Sequence, residues 1–126
     1  MAKVLIADDN RFFRELLCQM FNGEPDFEVC GEAENGKDAV EKALRLDPDV
    51  VILDLVMPVM NGIDAARVLR LIMPRLPLIM DSATEDQLVE KEARLIGVTE
   101  VVPKSAQLLK QTARRVLCCS EQSAAA

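Results

Sequence analysis

Five short apolar runs recur along the chain, and a segment of helical period follows each. The runs are "KVLIAD" (Lys3–Asp8), "FEVCGE" (Phe27–Glu32), "DVVILD" (Asp49–Asp54), "PLIMDS" (Pro77–Ser82) and "TEVVPK" (Thr99–Lys104). Within Val50–Leu53 nothing alternates, the pattern of a strand covered on both faces. The first helical segment, about Arg11–Phe21, carries Phe13, Leu16, Leu17 and Met20 and stops at the breaker "NGEP". The second, about Lys37–Leu46, places Ala39, Val40, Ala43 and Leu44 at helical spacing and ends at "DPD". The third starts near Asn61-Gly62 and runs through "IDAARVLRLI" to Pro74; the fourth covers Glu85–Ile96 with Gly97 as its C-cap; the fifth covers Ala106–Cys118. Strand and helix alternating in this way predict an α/β fold, one parallel sheet with helices on both faces. Right-handed crossovers leave few topologies open.

The 126 residues have the length of one domain. No internal repeat or second-domain boundary is visible. Residues 1–119 read as the domain, and 120–126, "SEQSAAA", as a flexible tail, the start of a linker to a further domain, or a cloning scar. With only 3% aromatic residues, the core has to be built from Leu, Val, Ile, Met and Ala. The absence of histidine excludes a Ser-His-Asp triad, a histidine zinc site and a phosphohistidine on this chain. A net charge of −6 lacks the basic footprint of direct nucleic-acid binding. Cys18, Cys30, Cys118 and Cys119 match neither a zinc ribbon nor a disulfide framework, and read as reduced packing residues. "MAKVLIADD" is no signal peptide and no apolar span is long enough for a membrane helix, so a soluble cytoplasmic protein is expected.

Chemistry is expected at one place. In open parallel sheets, ligands bind beyond the carboxyl ends of the strands. The first run ends in Asp8-Asp9, the third in Asp54, the fourth in Ser82 and the fifth in Lys104. Three carboxylates on one rim repel; a pair about 4 Å apart costs roughly 4 kcal/mol at an effective dielectric near 20. Lys104 offsets one charge and a hard divalent cation would offset two more; oxygen ligands with open positions favour Mg²⁺.

"LIADDN", "VILDLVMPVMNG", "LIMDSA" and "VVPKS", in that order, resemble the receiver domain of two-component response regulators over about residues 3–118. The resemblance implies a doubly wound, flavodoxin-like (βα)5 domain with strand order 2-1-3-4-5. It implies that Asp54 accepts a phosphoryl group from a histidine kinase or phosphotransfer protein in a Mg²⁺-dependent reaction. It further implies that Asp9, Asp54 and the Val56 backbone carbonyl bind the metal directly, Asp8 acts mainly through metal-bound water, Lys104 pairs with phosphoryl oxygens, and Ser82 swings in to hydrogen-bond the phosphate. Backbone N–H groups near Val56 and Ala83 would complete the cradle. Such a domain assists its own phosphorylation and is not a multiple-turnover enzyme. Its output face, helix four, strand five and helix five, often dimerises, and an effector domain can follow.

Plainer readings stand beside these. Asp8 and Asp9 suit a helix N-cap, although Asn10 can do that work. Gly62 eases entry into helix three. Phe12 and Leu16 can be core, Phe12 being the better candidate for an exposed patch that docks a kinase partner. Some positions depart from the family pattern. Val101 stands where an aromatic is usual. Ser105 follows the lysine where proline is frequent. Pro103 fits an edge strand. Asp81 takes a place that is usually apolar; it is expected to be exposed at the strand end, the alternative being an extra acid that tunes the site or a partner surface. The rival functions are a degenerate receiver acting as a phosphorylation-independent interaction module, an Asp-nucleophile phosphatase, and a nucleotide-binding module. The phosphatase lacks a second acid two residues after Asp54, and the nucleotide-binding module lacks a Gly-rich loop after strand one.

Overall fold

The apolar runs become strands and the periodic segments become helices in the order β1 (Ala2–Ala7), α1 (Arg11–Asn22), β2 (Phe27–Ala33), α2 (Gly36–Leu46), β3 (Val50–Asp54), α3 (Gly62–Ile72), β4 (Leu78–Ser82), α4 (Gln87–Leu95), β5 (Glu100–Pro103) and α5 (Ala106–Ala125). This computed structural model describes residues 1–83 and 86–125, with side chains as far as residue 118. Glu85, the expected start of helix four, lies outside the described residues, as does the terminal Ala126. α5 extends past Cys118, the end expected from its apolar spacing, to Ala125. The Ser, Glu, Gln and Ala residues that follow contain no breaker, so spacing alone underestimates the helix.

All strands are parallel and lie in the order β2-β1-β3-β4-β5. Alternation along the strands divides the core in two. Leu5 and Ala7, Val51 and Leu53, Leu78 and Met80 pack under α2, α3 and α4, against Ala39, Ala43, Ile63, Ala66, Leu69 and Ala93. Val4, Ile6, Val50, Ile52, Ile79 and Val102 point the other way, against Leu17 and Phe21 of α1 and Leu109, Ala113 and Val116 of α5. Every residue of β3 and β4 is buried, as an uninterrupted apolar run requires. Phe21 meets Phe27 edge-on, ring centroids 5.0 Å apart, so half of the chain's few aromatics anchor the end of the sheet remote from the acids.

α1 is rotated by about one residue from its sequence reading. Its buried stripe is Arg14, Leu17 and Phe21; Phe13 and Met20 are half-buried, and Leu16 is exposed. A buried arginine inside the stripe moves the helix face, because that guanidinium finds polar partners beneath the helix.

Asparagine side chains cap the first three helices. Asn10, Asn35 and Asn61 accept hydrogen bonds from the N–H groups of Phe13, Asp38 and Asp64, and Asp86 does the same for Leu88 in α4. Gly97 follows α4 with φ +102°, a left-handed turn suited to glycine. β5 is an edge strand, where the missing N–H of Pro103 is tolerated. The sheet reverses direction of growth between β1 and β3, so the crevice beyond their carboxyl ends receives the acids of both.

Candidate functional site

Strand parity builds the site. Asp8 continues the Val4–Ile6 row, Asp54 the Val50–Ile52 row, Asp81 follows Ile79 and Lys104 follows Val102. All four therefore belong to the α1–α5 face of the sheet. Asp54 and Asp81 are paired neighbours across β3 and β4, and Asp81 is paired with Val102 across β4 and β5. The side-chain oxygens of Asp8, Asp54 and Asp81 come within 4.8 Å of one another. Lys104 Nζ enters this group, 3.0 Å from Asp8 Oδ2 and 3.4 Å from Asp54 Oδ2, with its charge over the Phe13 ring at 4.9 Å.

Asp8 does not cap α1. Its Oδ1 accepts the N–H of Asn10 at 2.8 Å and its Oδ2 faces Lys104, while Asn10 performs the capping. Asp9 is exposed at the rim, close enough to Asp54 to raise the cost of charging it. Ser82 is buried at the end of β4, beside Pro103 in the register. Val56 is exposed in the loop after Asp54.

Asp81 differs from its sequence reading. It is fully buried, not exposed at the strand end, because β3 and β5 flank it and its side chain points under the α1–α5 layer. Neither of its oxygens accepts a hydrogen bond from a protein N–H or O–H group. Its neighbours are carboxylates, and a carboxyl-to-carboxylate contact closes only if one partner holds a proton. Burial, then the charges of Asp54 and Asp8, push Asp81 up to about 8, with Lys104 opposing. Asp54 rises to about 6, first through burial, then through the charge of Asp8, again against Lys104. Burial works against the Lys104 charge, but pairing with Asp8 and the field of the other acids outweighs it, and its pKa rises.

These shifts give a stability prediction for the metal-free protein. Above about pH 4 the folded chain retains a proton on Asp54 until about pH 6 and on Asp81 until about pH 8, while the unfolded chain, with an ordinary aspartate near 3.9, has released both. Raising the pH through that window therefore removes stability, on the order of a few kcal/mol in all. Glu24 and Asp26 act oppositely, since hydrogen bonds from Lys110 and Arg114 to Glu24, and from Arg114 to Asp26, hold both carboxyls low. Their contribution is present above about pH 4 and is lost in acid. Urea unfolding in EDTA should show a maximum near pH 5 and a decline to pH 8; a flat or rising profile over that range would contradict the arrangement.

Arg14 and Gly62 support the acids, Arg14 with no role expected from the sequence and Gly62 with no role expected beyond easing entry into helix three. Arg14 is buried in α1; its NH1 donates to the Asp8 carbonyl at 2.7 Å and its Nε to Glu32 Oε1 at 3.1 Å, tying the β1–α1 turn to β2. The available signal was its position, i and i+3 with Leu17 in the stripe. Arg14→Met should cost about 2 kcal/mol, the scale of a hydrogen bond to a charged group. A change in urea midpoint equivalent to less than about 0.5 kcal/mol, the usual surface range, would remove Arg14 from this role. Gly62 packs on the backbone of Asp54: a Cβ there would lie 2.2 Å from the Asp54 carbonyl oxygen. Its N–H donates to the Leu55 carbonyl at 2.9 Å, folding the loop back beside the acid. Gly36 donates its N–H to the Met60 carbonyl at 2.8 Å and steadies the far side of the same loop.

The oxygen-only donor set, the proximity of the acids and the orphaned Asp81 oxygens fit a hard divalent cation. Comparison with known proteins agrees with the topology. Residues 4–114 match the family model described as the response regulator receiver domain. A protein-glutamate methylesterase/protein-glutamine glutaminase of Hahella chejuensis is 38% identical over 115 residues, which cover 90% of this chain but 30% of that protein. The chain thus spans about a third of the length of that curated relative. Among solved structures, the response regulator domain of Thermotoga maritima CheB is 32% identical, with a TM-score of 0.79 and coverage of 97% of this chain and 95% of that one. The Borrelia burgdorferi CheX-CheY-BeF3-Mg+2 complex is 28% identical, with a TM-score of 0.86 and coverage of 91% and 88%. The chain belongs to the response regulator receiver domain family, the phosphoacceptor switches of two-component signalling.

Proposed function

We propose that Asp54 is the phosphoacceptor of this switch and that Lys104, Ser82, Asp8 and Asp9 serve its chemistry. The observation that carries the reading is the Lys104 ammonium, held between Asp8 and Asp54 at the mouth of a receiver fold. An Asp54 oxygen attacks the phosphorus of the donor; the new O–P bond forms as the P–N bond of a partner's phosphohistidine breaks, and its electron pair stays on the imidazole, which takes a proton. The phosphohistidine belongs to a histidine kinase or phosphotransfer protein, since this chain has no histidine. Lys104 stays protonated across neutral pH and neutralises an equatorial oxygen. Ser82 donates its hydroxyl to the phosphoryl group, and N–H groups beside Val56 and Ala83 complete the cradle.

Asp9, Asp54 and the Val56 carbonyl are the direct ligands we assign to Mg²⁺, with Asp8 acting through water. When bound, the ion supplies charge neutralisation on the phosphoryl oxygens. Arg14 fixes the turn that carries Asp8 and Asp9, and Gly62 fixes the loop after Asp54.

The partner reads the rim. Phe12 is 84% exposed on α1 and Leu16 half-exposed one turn on, which supports a docking role for this helix. Output passes through the α4–β5–α5 face to an effector domain or a second copy; Leu88 and Leu95 of α4 and Leu108 of α5 are exposed. With Val101 in place of an aromatic, the coupling runs through Ser82 as a shift between pre-existing states. A cytoplasmic setting suits this role, and no described helix is long and apolar enough to cross a membrane.

Acetyl phosphate with Mg²⁺ should add one phosphoryl group by intact mass, and EDTA should prevent it. No adduct on the wild type, with a competent receiver labelled alongside, would favour the phosphorylation-independent module.

A further inference from the structure

We propose that Asp81 is an additional acidic arm of the cation site, and that its carboxylate raises the affinity of the Asp54 cluster for hard divalent cations. The inference rests on the site reading above and extends it to a residue that reading does not use. Asp81 is completely buried, and neither of its oxygens has a hydrogen-bond donor. Its side chain lies on the same face of the sheet as Asp8 and Asp54, with an oxygen within 4.8 Å of theirs. Lys104 forms its ion pairs with Asp8 and Asp54; among the described residues no ammonium or guanidinium pairs with Asp81. Asp8, Asp54 and Asp81 against one ammonium leave two negative charges, and Asp9 at the rim adds a third, so the cluster carries charge enough to hold a divalent ion.

The spacing is also suitable. Oxygens on opposite sides of Mg²⁺ lie about 4.2 Å apart, and on opposite sides of Ca²⁺ about 5 Å apart. The oxygens of the three acids lie within 4.8 Å of one another, no farther than a single Ca²⁺ would span, and β4 is hydrogen-bonded to strands on both sides. Whether Asp81 touches the ion or holds its water, a carboxylate in this position strengthens binding; partners of metal ligands typically contribute about 10–100-fold in affinity.

The experiment is calorimetric titration of the EDTA-stripped, dialysed protein with Mg²⁺ and separately with Ca²⁺. Wild type, Asp81→Asn, Asp81→Val and Asp54→Asn are compared, with folding of each verified by thermal unfolding in EDTA. Asn keeps the shape and removes the charge; Val supplies an apolar side chain for a strand position, so a folded comparison is retained if an unsatisfied amide is not tolerated. Both Asp81 variants should bind each ion about tenfold more weakly than wild type. Affinities within twofold of wild type would overturn the role of Asp81 and leave the Asp54 reading intact. No binding to the wild type, or full binding to Asp54→Asn, would overturn the site reading and this inference with it.

Discussion

Asp54→Asn should take up no phosphoryl group from acetyl phosphate in the presence of Mg²⁺, while the wild type takes up one. The amide keeps the size of the side chain and its place at the end of β3, but an amide oxygen is no nucleophile toward phosphorus under these conditions. The substitution also removes a charge from a group whose burial and neighbours already push its pKa up to about 6, so the variant should be at least as stable as wild type in EDTA. That combination distinguishes lost chemistry from lost folding. Intact mass reports the first and urea unfolding the second. Labelling of the folded variant would place the acceptor elsewhere and remove the basis of the proposed switch.

The second large effect is expected at a residue with no side chain. Gly62→Ala drives a methyl group to 2.2 Å from the Asp54 carbonyl oxygen and 3.0 Å from its carbon, with Leu55 Cα at 3.1 Å. All three are backbone atoms, held by β3 pairing on one side and by the Gly62–Leu55 hydrogen bond on the other, so no rotamer change relieves the overlap. The expected cost is about 3 kcal/mol, the upper part of the overpacking range. That is a large share of the roughly 5–15 kcal/mol that holds a domain of this kind together. The loop after Asp54 must shift to make room, so phosphodonor labelling should fall as well. Gly23→Ala is the control: the new Cβ would meet only ordinary contacts, at 3.4 and 3.5 Å, from a backbone with φ −76°. It should change stability by less than about 1 kcal/mol. Equal effects at the two glycines would contradict the close approach at Gly62.

The candidate site was legible in the sequence because its proposed groups are written at strand ends. Asp8-Asp9, Asp54, Ser82 and Lys104 each follow an apolar run, and a parallel sheet delivers such ends to one rim whatever the details of packing. Asp81 was misjudged for a related reason. A residue one place before a strand end reads as exposed when the layer above it is unknown. Its parity with Ile79 assigns it to the α1–α5 face, and the expected strand order puts β3 on one side of it and β5 on the other, but how far α1 and α5 cover the end of β4 is settled only by the packed structure. Arg14 was overlooked because an arginine in a helix normally faces water; here the Asp8 carbonyl and Glu32 wait beneath it.

Local chemistry in the sequence was sufficient for the alternation of strands and helices, for Asn10 as a cap of α1, for the glycine after α4 and for the placing of the acids and lysine at strand ends. Each depends on residues a few positions apart, where periodicity and hydrogen-bonding capacity act directly. The burial of Asp81, the tether from Arg14 and the contact of Gly62 with Asp54 were decided by tertiary structure, because each depends on atoms that are distant in the chain and adjacent only once the sheet has assembled.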